Sequence, residues 1–64
     1  MNNDIDFEYY IGSEITVFLK DKSERFGGFN HYDQVNIYLT NNSGDIDAIP
    51  KNKIHKIKFR SIGG

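Results

Sequence analysis

The chain has 64 residues, enough for one domain spanning 1–64 and too few for two. It contains no Cys, so neither a disulfide nor a thiolate zinc site can staple so small a core, and the spacing of His31 and His55 is not that of a metal motif. Five Phe and four Tyr can build a core, which argues against global disorder, and a net charge of −1 is unlike a generic basic nucleic-acid coat.

No apolar run approaches the ~20 residues of a membrane span. Residues 1–14 carry Asp4, Asp6, Glu8 and Glu14 with no Lys or Arg, the opposite of a signal or transit peptide. The expected setting is a reducing, cytoplasmic one. Charge is segregated along the chain. Lys51, Lys53, Lys56, Lys58 and Arg60 fall in a stretch without acid. They form either a solvated strand that protects a sheet edge or a functional basic patch.

In chain order, residues 4–11 predict a short helix. Asn3 suits the N-cap, Asp4 and Asp6 suit the positive end of the dipole, and Phe7, Tyr10 and Ile11 make one apolar stripe. Gly12 stops it. Residues 14–20 alternate as a strand, with Ile15, Val17 and Leu19 on one face. After a polar turn, residues 24–31 resume as a strand, and Gly27-Gly28 marks a bulge or a sharp bend in it. Residues 34–40 alternate again, with Val35, Ile37 and Leu39 on one side. Asn41 to Gly44 form a turn, residues 45–49 a short strand ended by Pro50, and residues 53–59 the last strand. Ile54 and Ile57 are spaced by three, which breaks strict alternation and predicts either a bulge or one misassigned residue there. The predicted class is mainly β: a short N-terminal helix, then five strands in a strongly bent antiparallel small barrel of SH3 type.

Particular residues then converge on a family. The run Ile11-Gly12-Ser13-Glu14-Ile15-Thr16-Val17-Phe18-Leu19-Lys20-Asp21 resembles the start of an Sm-like (Lsm) domain. Gly27, Phe29, Tyr32 and Asp33 match the spacing of the first Sm motif, and Asp33-Gln34 is close to the bacterial Hfq type. Pro50-Lys51-Asn52-Lys53-Ile54 stands in place of the second motif in degenerate form. The resemblance covers about residues 4–59. It implies a homo-oligomeric ring of five to seven subunits, in which the fourth strand of one copy pairs with the fifth of the next. That pairing would cover both edges of a domain too small to be comfortable alone.

The resemblance also implies single-stranded RNA, A- or U-rich, as the partner, in post-transcriptional regulation. Gln34 and Lys51 match the glutamine and lysine of the pore site. Asn52 stands where a His is usual, Pro50 replaces an aromatic, and Val35 replaces the aromatic on which a base stacks. That stacking contributes ~1–3 kcal/mol, and Val35 cannot supply it. Asn36 is a polar candidate if its strand face points to the pore. On the other ring face, Phe18 matches an aromatic that holds purine-rich RNA, although it also reads as an ordinary residue on a partly covered outer face. The basic rim of the family is absent, for Tyr9, Tyr10 and Ile11 stand there. The RNA-binding candidates are therefore Gln34, Asn36, Lys51, Asn52 and Phe18. Asp33 reads as a turn residue that accepts local N–H groups.

Two other readings compete. One is an Sm-like ring that acts as a protein scaffold without RNA, motivated by Val35, Asn52, the acidic start of the chain and the Tyr9-Tyr10 pair. The other is a monomeric small-barrel module that binds peptides through Phe26, Phe29, Tyr32 and Tyr38. No cofactor is expected and no enzyme, because the chain shows no nucleophile-base-acid set and no phosphate loop. His31, Tyr32 and Asp33 lie adjacent, but neighbours on a strand point to opposite faces.

Overall fold

The computed structural model describes residues 5–60. A 3-10 turn, Phe7–Tyr10, precedes five strands: β1 Glu14–Leu19, β2 Glu24–Tyr32, β3 Asn36–Thr40, β4 Ile46–Pro50 and β5 Ile54–Phe59. A second 3-10 turn, Lys51–Lys53, joins β4 to β5. All neighbours pair antiparallel in the order β4-β3-β2-β1-β5, so β4 and β5 are the two edges of one five-stranded sheet.

Alternation builds the core. Ile15 and Val17 of β1, Phe29 of β2, Ile37 and Leu39 of β3, Ile49 of β4, and Ile54 and Ile57 of β5 form one buried cluster. Both edge strands feed that cluster, but β4 and β5 do not pair with each other, so the sheet is not closed into the barrel expected from the sequence. Of the apolar residues in β4, only Ile49 is buried. Ile46 is 50% exposed and Ala48 lies on the open face with it.

β2 joins the two halves of the sheet. Its first half, Glu24–Gly28, pairs with β1, and its second half, Gly28–Tyr32, pairs with β3. At the changeover the β3 backbone passes directly over Gly27. A Cβ there would lie 2.7 Å from the Thr40 carbonyl oxygen and 3.2 Å from Leu39 Cβ. Glycine is required by this close approach, not by its backbone angles. The glycine pair thus sits where β2 changes partners, while the bulge in β2 falls after it, where the register shifts between Phe29 and His31. The bulge predicted from Ile54 and Ile57 is present. Phe18 faces Lys56 but Leu19 faces Ile54, and His55 is looped out between them.

The N-terminal element differs from the α-helix predicted over 4–11. Residue 4 lies outside the described residues, and Phe7–Tyr10 make a single 3-10 turn with no side-chain cap. Three of its four residues are aromatic, a type of middling helix propensity, and one turn is too short to offset nucleation. Ile11 has already left the helical region, at φ −58° and ψ 131°, and is exposed. The Gly12 N–H then donates to the Phe29 carbonyl at 2.9 Å, which ties the chain into the β1–β2 ladder. Phe7 and Tyr10 nevertheless pack against the core as their spacing predicts.

Candidate functional site

The site begins at the corner between β2 and β3. The Asp33 carboxylate accepts the backbone N–H groups of Val35 and Asn36 through Oδ1, both at 2.8 Å, and the Tyr38 hydroxyl donates to Oδ2 at 2.7 Å. The Asp33 N–H closes the turn on the Asn36 carbonyl at 2.9 Å. These donors favour the ionised form. The Asn36 N–H acts most strongly, then the Tyr38 hydroxyl and the Val35 N–H, and the Lys51 charge adds to them. Together they hold the Asp33 pKa down at about 2.

This corner meets the second 3-10 turn. Asn36 pairs with Pro50, and the Lys51 N–H donates to the Val35 carbonyl at 2.8 Å. Two segments far apart in sequence, Gln34–Asn36 and Pro50–Asn52, are thereby joined at one end of the β3–β4 ladder. Gln34 and Asn52 are exposed, and Val35 is 65% exposed, outside β3 rather than on its apolar face. Four of the five candidate residues share this end of the molecule.

Within the group the side chains differ in availability. Asn36 alternates with buried Ile37, so it stands on the face away from the core. There its Nδ2 donates to the Tyr38 hydroxyl at 3.3 Å, and the His31 ring stacks on Tyr38 at 4.4 Å. Asn36 therefore supports the corner as well as being a polar candidate. Lys51 is half-buried, and its Nζ lies 4.9 Å from the Phe7 ring centre and 5.0 Å from that of Tyr32. The Tyr32 hydroxyl donates to Glu8 Oε1 at 2.9 Å, and this bond to a carboxylate raises the Tyr32 pKa above its ordinary value. Phe18 is not part of the group. It sits on β1, two strands from β3, half-buried with Lys56 Nζ 5.2 Å above its ring.

Pro50 also borders a cleft of about 170 Å³, lined by Leu19, Asp21, Arg25, Ala48, Ile49, Pro50 and Lys53. It brings two cations of the chain, Arg25 and Lys53, near the same turn. The aromatic surroundings of Lys51 were not foreseen from the sequence. Phe7 and Tyr32 are distant in the chain, and only the fold of the N-terminal turn against β2 brings them over Lys51. The Arg60 guanidinium over Phe26, at 5.2 Å, depends in the same way on tertiary packing.

Among the described residues, no group of three or more His, Cys, Asp or Glu side chains is placed to hold a metal ion. Every buried polar side-chain atom there has a hydrogen-bond partner. No described helix is long and apolar enough to cross a membrane. No protein-family model, no curated protein and no solved structure matches the chain.

Proposed function

We propose that the chain is a subunit of an Sm-like homo-oligomeric ring of five to seven copies that binds single-stranded RNA. The observation that carries this reading is the strand order β4-β3-β2-β1-β5 around one shared core. It leaves two strand edges, one from each end of the sheet, for the β4 of one copy to meet the β5 of the next. Such pairing satisfies the free N–H and C=O groups of both edges and covers Ile46. Closing the small barrel through a neighbour would also supply the stabilisation that a cysteine-free domain of this size lacks. That lack of cysteine suits a reducing, cytoplasmic setting.

The RNA part of the reading rests on the joined turns. In a ring, Gln34, Lys51 and Asn52 would recur around one opening, with amide groups for base edges and an ammonium for phosphate. Without an aromatic at position 35 each copy binds weakly, so recurrence around the ring would carry the affinity. Phe18, on another part of the sheet, would serve a separate contact.

The exposed aromatics favour a second reading, a ring that holds a protein. Tyr9 is 67% exposed and Phe59 48%, and with Tyr10 they form an aromatic cluster at centroid distances of 4.8–5.6 Å. Light scattering on a sizing column, followed by titration with A-rich and U-rich oligonucleotides at two salt concentrations, separates the cases. Five to seven copies with salt-dependent RNA binding is the expected result. A single-chain mass overturns the ring. A ring that retains no oligonucleotide even at low salt overturns the RNA reading in favour of the scaffold.

A further inference from the structure

We infer that the N-terminal 3-10 turn is a latch that withholds Lys51 from its ligand, an inference that rests on the RNA reading above. Three contacts make the latch. Phe7 stands in the turn itself, 5.8 Å from the Tyr32 ring centre, and Lys51 Nζ lies within 5.0 Å of both rings. Glu8, the next residue, accepts the Tyr32 hydroxyl at 2.9 Å and fastens the turn to β2. An ammonium over two ring faces is attracted by both quadrupoles. A phosphate that draws Lys51 off those faces forfeits that attraction, so the rings compete with it for the ammonium.

The turn is suited to opening. It has four residues, no side-chain cap and no buried residue. Among the described residues, its backbone hydrogen bonds run within the turn and its immediate neighbours, and the ladder bond to β2 starts only at Gly12. Its hold on the sheet comes from rings and from the Glu8–Tyr32 bond, which are individually weak contacts. Elements held in this way open locally at low free-energy cost.

The test uses Phe7→Ala and Glu8→Ala in the full-length chain, with Lys51→Ala as reference. Glu8→Ala leaves the Phe7 ring in place, so it serves if Phe7→Ala folds poorly. The first readout needs no RNA: acetylation of Lys51 by a water-soluble reagent, measured by mass spectrometry relative to exposed Lys53 and Lys58. Opening the latch raises Lys51 labelling. The second readout is affinity for a U-rich oligonucleotide. It is expected to tighten by about two- to fivefold, the weight of one exposed cation–π contact. The salt dependence is expected to steepen by up to about 0.7 in slope for each further phosphate that Lys51 neutralises. Both changes should vanish when Lys51→Ala is added. Unchanged labelling in both variants overturns the latch. Raised labelling with unchanged RNA affinity overturns its role in binding. Raised labelling in a chain that binds no oligonucleotide with either variant or the parent overturns the RNA reading on which the inference rests.

Discussion

β2 is turned at both ends by an aspartate, yet the two corners have different consequences. At the β1–β2 corner, Asp21 accepts the N–H and hydroxyl of Ser23, two residues on. At the β2–β3 corner, Asp33 accepts two successive N–H groups and the Tyr38 hydroxyl, and the carbonyl of Val35 in that turn receives the Lys51 N–H. At the first corner the aspartate bonds only within its own turn, although the neighbouring Lys20 N–H donates to the Lys53 carbonyl at 2.9 Å. The second organises residues from β3 and the β4–β5 connection, and the candidate site is built on it. The same side chain in the same kind of turn becomes a site scaffold only when its acceptors reach beyond its own loop.

Between the two corners lies the close approach of β3 to Gly27. If β2 must pass beneath β3 to bring the Asp33 corner to Pro50, filling that space should be costly. Gly27→Ala puts a Cβ against the backbone oxygen of Thr40 and is expected to cost about 1–3 kcal/mol, as overpacked sites do. Gly28→Ala meets only the movable Glu14 carboxylate at 3.4 Å and should be much milder. Denaturant unfolding of the two variants reads the difference. Equal losses would mean that both glycines matter through backbone freedom and not through the crossing.

The corners themselves come next. Asp33→Asn should lower the melting temperature by several degrees more than Asp21→Asn, because it weakens acceptors for three donors rather than two, and the turn it holds also receives Lys51. The pH dependence sharpens the point. The Asp33 pKa is held at about 2 in the folded chain, against about 3.9 for an unperturbed Asp. A depressed carboxyl stabilises the fold fully above its unfolded value, and the benefit is lost as pH falls through the folded value. The melting-temperature gap between the parent and Asp33→Asn should therefore be full above about pH 4 and close towards pH 2. Asp21 is lowered in the same direction, chiefly by the Ser23 hydroxyl and then its N–H. A gap at Asp33 that stays constant from pH 5 to pH 2 would remove the electrostatic basis of the comparison.

What was legible in the sequence follows the same division between local and long-range causes. Apolar alternation together with turn residues located all five strands to within two residues, and the three-residue spacing of Ile54 and Ile57 pointed to an irregularity, which is the looped-out His55. Asp33 was legible as a turn residue because its N–H partners are two and three positions away. The N-terminal turn was not, since Phe7 and Tyr10 at i and i+3 share a face in a 3-10 turn as well as in an α-helix, and only Ile11, which is exposed, tells the two apart. Alternation alone puts Val35 on the buried face with Ile37 and Leu39, but β3 begins only at Asn36 and the corner holds Val35 out. Of the candidate site, the pairing of Gln34–Asn36 with Pro50–Asn52 was implied only through family resemblance. The packing of Lys51 on two aromatic rings had no signal in the chain at all.

The smallest effect concerns the local corner alone. Lys22 has φ 77°, the only non-glycine residue with positive φ among the described residues, while the β3–β4 turn uses Gly44 at φ 86° for the same purpose. A side chain in this region is strained by its Cβ against the following carbonyl, whereas glycine costs more chain entropy on folding. The first effect exceeds the second, so Lys22→Gly should stabilise by about 0.5–1 kcal/mol and Gly44→Ala should destabilise by a similar amount. For a domain of this size that is a shift of about 2–8 °C in opposite directions. Because Asp21 bonds only within its own corner and Lys22 is not among the candidate RNA-binding residues, Lys22→Gly should leave RNA affinity unchanged while it raises the melting temperature. A change in affinity with no change in stability would instead place Lys22 in the binding surface, and the contrast between a passive corner and an organising one would fail.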